Sequence, residues 1–312
     1  MNQVIIYGAG KQGRALYGFF KQEGYSNLIK YFCDKMANQI KEIDGVQVIS
    51  YDEAKKTKLP FIIGVGHENF DEVEIMLKND NQVIYRFDEY CSEAFGITGT
   101  EVNRKYVAYY HIDNMDQYFR DAEDFKNQDI FWNKDSEFYK LFSQMNIENV
   151  IELACGRGRH VPHYINYAKN VTLVDILQRN IDICKQRFKD YDKMAYYVNN
   201  GVDLQQLEDE KYTSLFTYDS MVHFELLDVA NYLEETYRVL VDGGMALFHH
   251  SNNDGDYRQS FVTDRAGRSY MSKDIFAYLA YRVGFDIVQQ KVIDWNGIKN
   301  IDCVTLLRKN KK

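Results

Sequence analysis

The chain has 312 residues, 45% of them hydrophobic and 27% charged, with a formal net charge of −8. That length points to two domains rather than one. The acidity sets aside a general binder of nucleic acid, which needs a basic face, and no apolar run approaches the ~18–20 residues that span a bilayer. The N-terminus, MNQVIIYGAG, enters a strand directly and lacks the shape of a signal peptide. Cys33, Cys91, Cys155, Cys184 and Cys303 form no CxxC pair and no zinc spacing, as expected of reduced thiols in a cytoplasmic protein.

Residues 1–95 read as a small α/β unit. Val4–Tyr7 is a buried strand, Gly8-Ala-Gly-Lys-Gln-Gly13 a tight turn, and Arg14–Gln22 a helix with Gly24 at its C-terminal end. Strands follow at Ile29–Cys33, Phe61–Val65 and Val83–Phe87, with a helix over Phe70–Lys78. Gly8-x-Gly10-x-x-Gly13 between a strand and a helix, with Asp34 at the end of the next strand, is a dinucleotide fingerprint in its proper setting. The unit nevertheless shows too few strands for a full six-stranded domain. His67 is the nearby titratable residue, and no hydride-transfer group stands beside the turn.

Residues 96–147 are rich in Tyr, Phe, Asp and Asn. Phe131, Phe138, Leu141, Phe142 and Met145 recur at helical spacing, so this stretch is expected to form helices that pack on the following domain. Phe131-Trp132 as part of a lid over a ligand is the alternative.

From residue 149 strands and helices alternate again. The expected strands are Asn149–Ala154, Val171–Asp175, Met194–Val198, Leu215–Asp219 and Met245–His249. The expected helices are Val161–Lys169, Gln178–Phe188, Leu227–Leu240 and Lys273–Val283. Two strands in succession, Asp286–Ile293 and Asp302–Leu307, suit an antiparallel edge on an otherwise parallel sheet. The lysine-rich end, Arg308–Lys312, reads as a solvated tail.

The polar features of this second unit fall at strand C-termini, where open α/β sheets bind ligands. They are Glu152-Leu-Ala-Cys-Gly-Arg-Gly158, then Asp175, then Asn199-Asn-Gly-Val-Asp203, then Tyr218-Asp-Ser-Met-Val-His-Phe224, and last His249-His-Ser-Asn252. Gly156 and Gly158 let backbone approach a ligand that a Cβ would block. Asp175, nineteen residues after Gly156, stands where a ribose diol finds a carboxylate, and the Asn200 amide suits an adenine edge.

In these motifs, over roughly residues 110–308, the sequence resembles the class I S-adenosylmethionine-dependent methyltransferases. ELACGRG departs from that family's first motif only at Ala154, where a glycine is usual. The resemblance implies an α/β fold with two Rossmann-like domains, the C-terminal one a seven-stranded class I methyltransferase sheet. It implies S-adenosylmethionine as cofactor, with Glu152, Ala154 and Gly156 on the methionine side, Asp175 on the ribose and Asn200 facing adenine. Gly158, His160, Ile176, Gly201 and Tyr218 complete the expected binding set. Domain boundaries follow: 1–95 as a small nucleotide-binding or docking domain, and 96–312 as the methyltransferase domain with a helical lead-in over 96–147.

YDSMVHFE, LFHHSN and Arg268–Ser272 resemble methyltransferases of bacterial capsular and surface polysaccharides, which implies a sugar or nucleotide-sugar acceptor. The front unit likewise resembles the small Rossmann-like domain of some sugar-modifying enzymes. The fourth strand ends in Tyr218-Asp-Ser-Met rather than Asp/Asn-Pro-Pro-Tyr, which moves the substrate further from DNA and RNA.

A sugar hydroxyl is a weak nucleophile at neutral pH, so a nearby base helps. Histidine suits that task, and His223, just past the fourth strand, is the first choice. Strand alternation sends His249 and His250 to opposite faces, with His249 preferred for the site and His250 packed. Asp219 completes the expected catalytic group. Asp219, His223, His249 and Asn252 could together hold a divalent ion, but nothing in their spacing requires one, and no metal is assigned. Arg268 suits either a substrate phosphate or a solvated salt bridge. Two other classes stay open: a bifunctional protein with an NAD-dependent front domain, and a non-catalytic nucleotide-binding interaction protein. Homo-oligomer formation is open too.

Overall fold

The computed structural model describes residues 3–108, 116–258, 261, 264 and 267–310, without the side chains of His67, Asp116, 125–127 and Asp129. The expectation attached to the His67 side chain therefore lies outside the described residues. The chain divides into two compact units, Met1–Tyr110 and His111–Lys312.

The first unit has strands β1 (Val4–Tyr7), β2 (Ile29–Cys33), β3 (Glu42–Ile43), β4 (Val46–Ile49), β5 (Phe61–Ile63) and β6 (Ile84–Tyr85) in the order β3-β4-β2-β1-β5-β6. All pair in parallel except β3 with β4. The expected shortage of strands is thus corrected. The missed pair is a hairpin on Asp44-Gly45, whose left-handed φ values of 47° and 82° suit a two-residue turn. Strands that short carry no readable period. The helix Tyr51–Thr57 was also missed, although Ser50 and Glu53 form a reciprocal capping box at its start. The unit extends past the boundary expected at 95. Helix Gly99–Val107 sets Tyr106 against Phe19 and Phe87, ring centroids 5.7 and 5.1 Å apart, and Lys105 pairs with Glu23 at 2.8 Å.

The turn after β1 is a close backbone contact. Gly8 has φ +114°, and a Cβ on Gly13 would stand 1.9 Å from the Gly8 carbonyl oxygen. The Ala9 N–H donates to Asp34 Oδ2 at 2.7 Å, which ties the turn to the end of β2. Gly10 caps helix Lys11–Gln22 with no side-chain bond, and a Cβ there would meet open space.

The second unit has β7 (Asn149–Leu153), β8 (Asn170–Asp175), β9 (Met194–Val198), β10 (Tyr212–Thr217), β11 (Leu240–Ser251), β12 (Phe285–Trp295) and β13 (Ile298–Lys309). The sheet order is β12-β13-β11-β10-β7-β8-β9, with β13 antiparallel to both neighbours and the rest parallel. This is the seven-stranded arrangement of a class I methyltransferase. Neighbouring residues of one strand serve opposite faces, as the pleat requires. Val150, Leu173, Phe216 and Leu247 pack with Phe131, Phe138, Phe142, Tyr164 and Ile181. Ile151, Val174, Leu215 and Phe248 pack with Val229, Tyr232, Leu233, Phe276 and Ala280 on the other side. The aromatic lead-in is therefore core: Phe131 stacks on Trp295 at 5.7 Å and Trp132 on His163 at 4.7 Å. The last two strands turn on Asn296-Gly297, again with left-handed φ values of 48° and 80°. The tail begins later than expected. Lys309 lies in β13, 2% exposed, and donates to the Leu240 carbonyl at 2.7 Å.

The crowded first turn separates its glycines experimentally. Gly13→Ala is expected to destabilise the protein by about 1–3 kcal/mol or more, because backbone must move, whereas Gly10→Ala should cost no more than about 1 kcal/mol, as a cap change does. Denaturant unfolding of both variants measures the contrast.

Candidate functional site

The strand order of the second sheet reverses between β7 and β10, and the crevice outside their C-termini is where such sheets take ligands. The loop after β7 turns sharply: Ala154, Gly156 and Gly158 have φ values of +56°, +54° and +74°. Ala154 holds a conformation that disfavours its Cβ by about 1 kcal/mol. The two glycines have different reasons. A Cβ on Gly156 would come within 3.2 Å of the Phe119 ring, while one on Gly158 would meet Phe188 at 2.6 Å and Cys184 Sγ at 3.2 Å. Packing against the helix Gln178–Arg187 and its end is thus by itself enough to require glycine at 158.

Asp175 holds the loop. Its Oδ2 accepts from the Gly156 N–H at 2.8 Å, and its Oδ1 accepts from the Leu177 N–H at 3.0 Å and from Asn180 Nδ2 at 3.1 Å. The Ile176 N–H also bonds to this carboxylate, so N–H groups of the loop and of the start of the next helix surround it. Burial lifts its pKa to about 6, against the pull of those N–H donors. Glu152, on β7, is 2% exposed; its Oε2 accepts from Tyr164 at 2.7 Å, and its Oε1 has no partner among the described residues. Burial raises its pKa to about 8. A desolvated carboxyl with an unused oxygen below a glycine loop fits a cationic ligand, which would hold it ionised. Ile176, next to Asp175, is half-buried.

Three of the expected binding residues serve the protein itself. The Asn200 Oδ1 accepts from the N–H groups of Val202 and Asp203 at 2.9 and 3.0 Å, and its Nδ2 donates to Asp203 at 2.8 Å. Its amide closes its own turn, with Gly201 at φ +79° inside it. His160 is 3% exposed, ringed by Phe131, Phe138, Phe216 and Tyr218, and accepts from Trp132 Nε1 at 3.1 Å; burial holds its pKa well below the usual range. Tyr218 packs against Phe138 and His249, with ring centroids 4.2 and 4.4 Å away.

Asp219 sits past β10 at φ +58°, tolerable for Asp. Its Oδ2 accepts from Arg159 Nη2 at 2.9 Å and from the Tyr118 hydroxyl at 2.8 Å. Burial would raise its pKa, but the Arg159 guanidinium holds it down at about 2. So firmly ionised a group is a poor proton acceptor, and the expected catalytic Asp219 is instead the anion of a buried pair. Neither partner was foreseen. Tyr118 is 101 residues away in sequence, and Arg159 carries no local signal.

The histidines are fixed by their acceptors. His223 Nδ1 lies 2.6 Å from the Gly267 carbonyl oxygen, which can only accept, so Nδ1 carries a proton, and in the neutral ring the lone pair is on Nε2. The ring of Phe261 stands edge-on to it at 4.9 Å. His249 is fully buried; its Nδ1 accepts from the Asp219 N–H at 3.0 Å and its Nε2 donates to Asp302 at 3.1 Å. Both nitrogens are occupied, so His249 holds structure in place of the expected role as base. His250 faces the other way, stacked on Phe276 at 3.8 Å, and burial lowers its pKa to about 3. Arg268 is not a solvated residue: it grips Asp302 with Nε at 2.7 Å and Nη2 at 2.8 Å. Burial would raise the Asp302 pKa, and His249 and Arg268 hold it below the usual carboxylate range. Among the described residues no group of three or more His, Cys, Asp or Glu is placed to hold a metal ion.

The Glu152 carboxyl makes a pH test. The unfolded chain releases this proton near pH 4.3, the folded one only near pH 8, so the folded state binds more protons in between and its stability falls as pH rises through that window. Glu152→Gln removes this loss. Thermal unfolding without cofactor should show the variant gaining on the parent from about pH 5 to pH 8.

Residues 151–248 match the family model described as a methyltransferase domain. No curated protein matches the chain. Among solved structures, an S-adenosylmethionine-dependent methyltransferase from Mesorhizobium loti is 14% identical with a TM-score of 0.46, covering 55% of this chain and 97% of its own. One from Methanosarcina mazei is 14% identical with a TM-score of 0.44, covering 56% and 99%. A Pyrococcus horikoshii protein is 18% identical with a TM-score of 0.43, covering 63% and 100%. The family match runs over β7 to β11 and marks that stretch of the second unit as a methyltransferase domain.

Proposed function

We propose that the chain is an O-methyltransferase acting on a sugar or sugar-linked group in capsular or surface polysaccharide synthesis, with His223 as the general base. One observation carries the base assignment: the Gly267 carbonyl oxygen takes the Nδ1 proton of His223 and, in the neutral ring, puts the lone pair on Nε2, the form a base needs. When bound, S-adenosylmethionine supplies a methyl group already activated by its sulfonium. Glu152, Ala154 and Gly156 are the residues proposed for its methionine end, and Asp175 and Ile176 for the ribose. The task of the protein is then to align the acceptor hydroxyl and to take its proton on His223.

The turn Gly8–Gly13 in the first unit supports a nucleotide handle on the acceptor. Helix Lys11–Gln22 opens there with uncapped N–H groups and space around Gly10, which suits a phosphate. The acidic balance of the chain also favours a small substrate over a nucleic acid.

Calorimetric titration with S-adenosylmethionine and, separately, with NAD tests this reading. Binding of S-adenosylmethionine, lost in Asp175→Ala and kept in His223→Ala, is the expected result; a response to NAD alone overturns it. Transfer of labelled methyl to a panel of nucleotide-linked sugars should fall about 10²–10⁴-fold in His223→Ala, and full turnover there removes His223 from the role of base.

A further inference from the structure

We propose that Asp302, on the last strand of the sheet, is a positioning residue for methyl transfer, fixing both the ring of His223 and the turn at Asp219. The part concerning catalysis rests on His223 being the base; the geometry does not.

The first line of contact runs through Arg268. Asp302 takes its Nε and Nη2 in a two-pronged pair at 2.7 and 2.8 Å. The Arg268 N–H in turn donates to Asp264 Oδ1 at 2.8 Å, and Asn253 holds the other Asp264 oxygen at 3.1 Å. Residues on both sides of Arg268 grip His223. The Gly267 carbonyl takes its Nδ1 proton, Ser269 Oγ donates to its carbonyl at 2.9 Å, and the Ser269 N–H bonds the Val222 carbonyl at 3.1 Å. Arg268 is thus the anchored middle of a three-residue clamp, and Asp302 is the anchor.

The second line runs through His249. By accepting the Nε2 proton, Asp302 leaves Nδ1 as the acceptor for the Asp219 N–H. That bond helps hold Asp219 in its left-handed conformation, with its carboxylate on Arg159 and Tyr118. Without Asp302 the Asp219 N–H alone holds the His249 tautomer, and a proton that moved to Nδ1 would oppose that N–H.

Asp302 is 0% exposed and Arg268 is 6% exposed. Burying such a pair costs free energy that apolar side chains of similar volume would not. Stability alone is therefore a weak reason for it, whereas the placing of two backbone segments and two imidazoles is a specific one.

The test uses the full chain labelled with 15N-histidine. Long-range proton–nitrogen spectra report which ring nitrogen carries the proton, with His223→Gln and His249→Gln assigning the signals. The parent should show His223 protonated at Nδ1 and His249 at Nε2. Asp302→Asn should bring both rings to mixed tautomers while S-adenosylmethionine binding, read by calorimetry, is retained. Arg268→Gln should move His223 and leave His249 unchanged. Parent-like tautomers at His223 in either variant overturn the proposal, and so does loss of the folded state in both, which would make the pair structural only. Full turnover in His223→Ala would remove the base without touching the tautomer result, so the two failures are distinguishable.

Discussion

One hydrogen bond recurs at the head of each unit: a carboxylate at the end of the second strand takes an N–H from the turn after the first. Asp175 takes Gly156 at 2.8 Å, and Asp34 takes Ala9 at 2.7 Å. In each case the other oxygen accepts from the N–H two residues on, Leu177 or Met36. A backbone that bends through left-handed conformations leaves N–H groups pointing out of the sheet, and buried N–H groups need partners. The acid supplies one and so shapes the loop before any ligand arrives. This is why a carboxylate follows the glycines by about 20 residues in both units: it is the length of one strand–helix–strand passage.

The two loops differ in what surrounds that shared bond. Around the second lie groups whose charges are strongly perturbed: Glu152 held near neutrality by burial, Asp219 held ionised by Arg159, and Asp302 pinned between His249 and Arg268. Such contrasts between neighbouring acids are characteristic of functional sites. The first loop has a tightly packed turn, with Gly13 pressed on the Gly8 carbonyl, and an uncapped helix start; the groups perturbed beside it, Tyr7 and Cys33, are pushed up by burial and so kept protonated. Its features suit holding a ligand more than transforming one.

Most strands and helices of the second unit were legible because they are long enough to show a period and end in a recognisable stop, while the helix expected over Val161–Lys169 spans only Val161–Tyr164. Lys273–Val283 runs from the Ser272 cap to Gly284, and both sequence and structure end it there. The β3–β4 hairpin was not legible, since strands of two and four residues have no period and only Asp44-Gly45 marked the turn. Within the site, alternation along β11 predicted that His249 and His250 would part, whereas the bond between the Gly156 N–H and Asp175 appears only in the structure.

The sequence by itself determined which local shapes the chain can take: glycines where φ must be positive, caps where helices start, and short continuous apolar runs for a sheet covered on both faces. These depend on neighbours within a few residues. Only the tertiary structure decided which polar groups remain available for chemistry. Asn200 spends its amide on its own turn, Arg268 spends its guanidinium on Asp302, and Asp219 is captured by Tyr118 from 101 residues away. A polar side chain in a low-dielectric interior must find a partner wherever the fold brings one, and that pairing is set by three-dimensional proximity, which spacing along a single chain does not encode.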